Sequence, residues 1–219
     1  MFVGHFGIAL AAKRLAPRAS LAVLILAAQL ADVVWPVLVA LGIEEVRIDP
    51  GNTAFTPLDF VAYPYSHSLL LLMVWGLVLG ILTRTHVGGR AAIPLIAGLV
   101  VSHWVLDWIT HRPDMPLFPG GPHLGLGLWN SVPWTLAVEL VMFAAGGWIY
   151  VGITRAKDAV GRWGFFTLMA FLLLAYLANL RSVPPSVTAL YTASMVGVLV
   201  IAAWAWWVDR HRAVASRID

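Results

Sequence analysis

Six apolar runs, near residues 19–42, 63–84, 91–111, 132–153, 163–181 and 187–208, constrain this chain more than any other feature. Each is close to the ~20 residues that carry a helix across a hydrocarbon core. Inside a bilayer the backbone must satisfy its own hydrogen bonds, so runs of this length are predicted as helices. Hydrophobic residues make up 60% of the 219 and charged residues only 11%, whereas about a quarter of a soluble domain is charged. The expectation is an all-α, polytopic membrane helical bundle: one integral domain over 1–219, with six transmembrane helices. Met1 to Ala16 has no basic leader, and Lys13-Arg14 follows its apolar stretch. It reads as a retained short helix, too short to span, and not as a signal peptide.

The loops set an orientation. Lys13, Arg14 and Arg18 precede the first run, Arg84 and Arg90 bracket a short loop, and Arg155, Lys157 and Arg162 separate the fourth and fifth runs. Arg210, Arg212 and Arg217 close the chain. Alternate loops hold Glu44, Glu45, Asp49 and Asp59, then Arg112 with Asp114, then Arg181. The positive-inside rule places the basic set and the C-terminus in the cytoplasm. The two long connections, 43–62 and 112–131, then face outward. The scattered basic residues fit topology and lipid headgroups as partners, not nucleic acid. Trp104, Trp108, Trp134, Trp163 and Trp207 fall near run ends, as an aromatic belt does.

The chemistry concentrates in Ser102-His-Trp-Val-Leu-Asp-Trp-Ile-Thr-His-Arg-Pro-Asp114. His103, Asp107 and His111 recur every four residues and share one helix face. Ionisable groups within membrane helices need a partner or a task. With no cysteine in the chain, a metal would take His, Asp, Glu or backbone oxygen ligands. At ~1.5 Å per helical residue, His103 lies roughly 18 Å, Asp107 roughly 24 Å and Asp32 about 20 Å from the inner face. His67 near the outer start of the second run, His5 in the short first helix and Glu139 in the fourth run reach compatible depths. These groups are expected to share one layer in the outer half of the membrane. A divalent ion there would offset several carboxylates and fix neutral imidazoles as ligands.

The residues Gly4-His5, Leu30-Ala-Asp32, Tyr65-Ser-His-Ser-Leu69 and Ser102-His-Trp-Val-Leu-Asp107, in that order, resemble a family of bacterial inner-membrane proteins described as metal-dependent hydrolases (DUF457, LexA-regulated). The resemblance covers roughly the first half of the chain. It implies a helical bundle in the bacterial inner membrane, His and Asp metal ligands, and hydrolase chemistry. Two departures stand out. The second acid of a Pro-Asp-x-Asp pattern is replaced in Ala31-Asp32-Val33-Val34, and Ala62 stands where a further His is often found. Asp59, His111 and Asp114 are the residues placed to compensate.

The combined expectation is one or two Zn²⁺-like ions held by His5, Asp32, His67, His103 and Asp107, with His111 at the rim. A water on an open coordination position would become acidic enough to attack. Glu139 or Asp114 would take its proton, and Arg112 would hold an anionic headgroup. Residues Pro113 to Trp129 would form an outer lid, and the substrate would be a phospholipid or lipid-linked phosphoester met from the periplasmic side. The same cluster also suits an ion, proton or metal transporter, or a scaffold in which it only locks helices.

Overall fold

The computed structural model describes residues 1–180 and 182–215. Arg181, at the end of the predicted fifth run, and Arg217 lie outside the described residues. Among the described residues, helices dominate. The short first helix, α1 (Val3–Ala12), is followed by α2 (Leu21–Ala28) and α3 (Leu30–Ala40). Ser20 caps α2 by accepting the Val23 N–H at 3.3 Å, satisfying one of the donors a helix start leaves free. Five helices are long and apolar enough to cross a membrane: α4 (Leu69–Val87), α5 (Ala92–Thr110), α6 (Val132–Ile153), α7 (Phe165–Asn179, lengthened by a π turn at Val160–Gly164) and α8 (Val187–Arg210).

The run predicted as one helix over 19–42 is two. α2 and α3 meet at Gln29 with a bend of 58°. The break is not at Pro36, which sits inside α3. The second predicted helix starts later than 63, because Ser68 turns into an extended conformation and caps α4 through the Leu71 N–H. Residues 63–68 are thereby freed from helix geometry, and His67 lies among them.

The long connection 43–62 contains an antiparallel hairpin of β1 (Glu45–Ile48) and β2 (Leu58–Ala62). Two-residue strands β3 (Met115–Pro116) and β4 (His123–Leu124) pair within the second long loop. The strands β5 (Thr154–Ala156) and β6 (Arg212–Val214) pair after α6 and α8. Next to that pair, Lys13 Nζ meets Asp209 Oδ2 at 2.8 Å and Tyr150 donates to Asp209 Oδ1 at 2.7 Å. These groups tie α1, α6 and α8 together at the end remote from His5. Trp134, Trp148 and Trp163 are exposed on the bundle exterior.

Two glycine contacts position the site. In α4, Gly76 and Gly80 lie one turn apart against Ala97 and Ile93 of α5; a Cβ on either would come within 2.9 Å of that backbone. Such small-xxx-small stripes let membrane helices approach closely, and this one sets α4 against the helix that carries His103. In α1, Gly7 faces Gly146 of α6, and a Cβ on Gly7 would lie 2.5 Å from the Met142 carbonyl oxygen. His5 lies on the same helix, two residues before that crossing.

Candidate metal centre

Five of the six expected metal ligands converge. α5 presents His103 and Asp107 at the i, i+4 spacing, with His103 Nε2 3.0 Å from Asp107 Oδ2. His67 Nε2 lies 3.5 Å from Asp32 Oδ1 and 3.9 Å from Asp107 Oδ2. His103 Nε2 is 3.9 Å from Asp32 Oδ1. Asp32, His67 and His103 thus bring ligand atoms within 4.8 Å of one another, and Asp107 adjoins them through His103 and His67. A tetrahedron of ligands at ~2.0–2.1 Å from an ion has six edges of about 3.3 Å; four of the six, at 3.0, 3.5, 3.9 and 3.9 Å, lie near that value.

The helix break creates part of this geometry. Ala28 is the last residue of α2, and the carbonyls of a last turn lack intrahelical partners. His103 Nδ1 lies 2.8 Å from the Ala28 oxygen. A carbonyl only accepts, so Nδ1 carries the proton and the neutral ring leaves Nε2 as a lone pair. That lone pair faces carboxylate oxygens, is fully buried, and has no hydrogen-bond partner among the described residues. Acceptors turned toward one another in a buried layer repel unless a cation lies between them. The same break puts Asp32 in the first turn of α3, with its side chain 36% exposed, while His67, His103 and Asp107 are buried.

His5 occupies a different position. Its Nε2 bonds to the other oxygen of Asp107, Oδ1, at 3.1 Å, and its ring stacks on His103 at 3.9 Å between centroids. His5, His103 and Asp107 form a second possible ligand group, beside Asp32, His67 and His103. Both groups need His103, whose Nδ1 is engaged by Ala28, so its single free nitrogen serves one ion.

The structure separates His111 from these ligands. α5 ends at Thr110, and His111 turns extended (φ −67°, ψ 152°), which ends the four-residue stepping after Asp107. His111 Nδ1 lies 3.0 Å from Asp114 Oδ1, which also accepts from Tyr63 at 2.6 Å. The His111 ring packs against Phe60 and Trp129. Arg112 is not a free cation at the mouth: its guanidinium binds Asp59, Asn52 and, at 3.2 Å, Asp114. The long loop after α5 is anchored on that helix, where Leu126 and Gly127 donate to the Trp108 and His111 carbonyls at 2.8 and 2.7 Å. Glu139 accepts the Phe2 and Gly4 N–H groups at 2.7 and 3.2 Å. It thereby caps the start of α1 from α6, and α1 has no side-chain cap of its own.

The rim cluster is acid-sensitive. Burial pushes the His111 imidazole below its ordinary value, although contact with Asp114 works the other way. Burial would raise the Asp114 carboxyl, but hydrogen bonds from His111, Tyr63 and Arg112 outweigh it and hold that carboxyl low. Burial, then the Asp114 charge, pushes the Tyr63 phenol well up, so it remains a donor. With both folded values depressed, the unfolded chain binds more protons on acidification. The His111 contribution is present above the ordinary value near ~6.5 and is lost below it; the Asp114 contribution follows below ~4. Thermal stability in detergent should fall between pH 7 and pH 5, and His111→Gln should flatten that fall. An unchanged slope in the variant would place the sensitivity elsewhere.

Glu44 is a site-adjacent residue that sequence reasoning assigned only to loop charge. It is buried, accepts from Ser66 Oγ at 2.6 Å, and also accepts the Tyr65 and Ser66 N–H groups. Ser66 Oγ is 2.7 Å from His67 Nδ1. A pair of adjacent loop glutamates carries no periodicity that singles out the buried one.

Compared with family models, curated proteins and solved structures, the chain matches none.

Proposed function

We propose that this is a membrane-embedded, metal-dependent hydrolase with one divalent ion, Zn²⁺ in class, held by Asp32, His67, His103 and Asp107. The observation that carries the reading is the buried His103 Nε2, which has no hydrogen-bond partner among the described residues and lies 3.0 and 3.9 Å from the Asp107 and Asp32 carboxylates. Two imidazoles and two carboxylates, with no thiolate, form a donor set that suits Zn²⁺ and related ions. When bound, such an ion supplies Lewis acidity, polarising an ester or phosphoryl oxygen and acidifying a water.

The chain's own residues divide the remaining work. His5 holds Asp107 Oδ1, leaving Oδ2 toward the centre. Glu139 fixes the start of the helix that carries His5. Arg112 ties Asp114 to the hairpin residues Asp59 and Asn52, so its task is to brace the mouth. Asp32, the most exposed of the four donors, gives the side from which substrate approaches. In the topology set by the basic loops, that layer lies in the outer half of the bacterial inner membrane with the C-terminus cytoplasmic. An ester or phosphoester borne by a lipid is the substrate class that reaches it.

A transporter reading needs a polar route past this layer. Leu10, Leu24, Ile25, Ile96 and Val100 are buried between the site and the Lys13–Asp209 pair along α1, α2 and α5, which favours a one-sided site. The test is purified protein loaded with Zn²⁺, assayed on phospholipid and lipid-linked phosphoester vesicles by mass spectrometry, beside a proteoliposome metal and proton flux assay. Metal-dependent product without flux is expected. Flux without product would overturn the hydrolase reading in favour of transport.

A further inference from the structure

We propose that Glu44 is a positioning residue that sets the His67 tautomer through Ser66, which deepens and rests on the metal reading above. The argument follows the protons. The Glu44 carboxylate only accepts: Oε1 takes the Tyr65 and Ser66 N–H groups at 2.8 and 2.9 Å, and Oε2 takes the Ser66 hydroxyl at 2.6 Å. Ser66 has one hydroxyl proton, and Glu44 receives it. The 2.7 Å contact between Ser66 Oγ and His67 Nδ1 therefore has His67 Nδ1–H as donor. His67 then presents an Nε2 lone pair toward Asp32 and His103, with which it forms a possible ligand group. His103 reaches the same tautomer through the Ala28 carbonyl, so two separate backbone and side-chain devices prepare two matched ligands.

Glu44, Ser66 and His67 are all buried, so no solvent competes for these protons. The turn is also built around the carboxylate: two of its three accepted bonds come from the backbone that leads into His67. Groups that orient a ligating His in this way typically change metal affinity by ~10–100-fold when removed.

Glu44→Gln makes the test specific. Its amide oxygen can still accept the two backbone N–H groups, but its NH₂ donates to Ser66 Oγ. The Ser66 proton then turns toward His67 Nδ1, and the ring must carry its proton on Nε2, where it cannot ligate. Two readouts apply to the full-length protein in detergent. In metal-free protein, ¹⁵N imidazole NMR, with His67 assigned by His67→Gln, should show Nδ1–H in the parent and Nε2–H in Glu44→Gln. Titration with Co²⁺ should show affinity weakened by ~10–100-fold in Glu44→Gln. Ser66→Ala, which keeps Glu44 on the backbone, should weaken Co²⁺ binding similarly and serves if Glu44→Gln fails to fold. The same His67 tautomer in parent and Glu44→Gln, or unchanged Co²⁺ affinity, overturns the proposal. If the parent takes up no Co²⁺, the metal reading fails, and the tautomer comparison still decides whether Glu44 controls His67.

Discussion

His103→Ala is expected to abolish stoichiometric divalent-metal binding while leaving the helical bundle assembled. His103 belongs to both possible ligand groups, so no alternative set survives its loss. Alanine removes one of the buried polar groups that face one another there. The fold cost is confined to the lost Ala28 contact and the space left by the imidazole. The metal-linked effect is larger. A ligand at 100 times its Kd stabilises the state that binds it by about 2.7 kcal/mol. Added Zn²⁺ should therefore raise the thermal midpoint of the parent and leave that of His103→Ala unmoved. Asp107→Asn should also lose the ion. Asp107→Ala should additionally destabilise the metal-free fold, because His5 and the Met1 ammonium lose a buried acidic neighbour and breaking buried charge pairs costs about 3–5 kcal/mol. Elemental analysis and melting with and without Zn²⁺ measure both effects, and full metal retention by His103→Ala would remove His103 from the ligand set.

The second large effect lies away from the ligands. Gly146→Leu is expected to destabilise the bundle by at least about 3 kcal/mol, at the upper end of overpacking effects. Any Cβ on Gly146 would overlap the Gly7 backbone, which is itself pressed on Met142. Backbone on both sides leaves no flexible side chain to yield, so α1 and α6 must separate. For a chain of this size the thermal midpoint should drop by roughly 6–12 °C. The separation also carries His5 and its Glu139 cap out of register, so metal affinity should fall although no ligand has been replaced. Gly98→Ala is the matched control: it lies within α5, its Cβ meets nothing within 4 Å, and it should be neutral or stabilising by ~0.5–1 kcal/mol. Equal behaviour of the two variants would show that the Gly7–Gly146 crossing does not constrain the site.

The parts of this site governed by helix periodicity were legible in the sequence. His103 and Asp107 share a face because α5 runs unbroken through both, and the depth estimate that placed Asp32 and His67 in the same layer matches their contacts. The parts governed by chain breaks were not. His111 follows the same spacing, but the helix stops one residue earlier, and its partner became Asp114. The α2–α3 break falls at Gln29, which is no breaker by residue type, whereas Pro36 continues within α3. That break exposes the Ala28 carbonyl that orients His103, so the orientation of this ring depended on a feature without a local signal. Lys13 read as an inner-face topology charge, yet it is buried against Asp209 almost two hundred residues away. Long-range ion pairs of this kind leave no trace in spacing.

The most direct test of the central claim, that Asp32, His67, His103 and Asp107 hold one divalent cation, is anomalous diffraction from Zn²⁺-loaded crystals at the zinc edge. The account predicts a single peak per chain, ~2.0–2.2 Å from Nε2 of His67, Nε2 of His103 and carboxylate oxygens of Asp32 and Asp107. No peak at that point, or a peak held instead by His111 and Asp114, would contradict it.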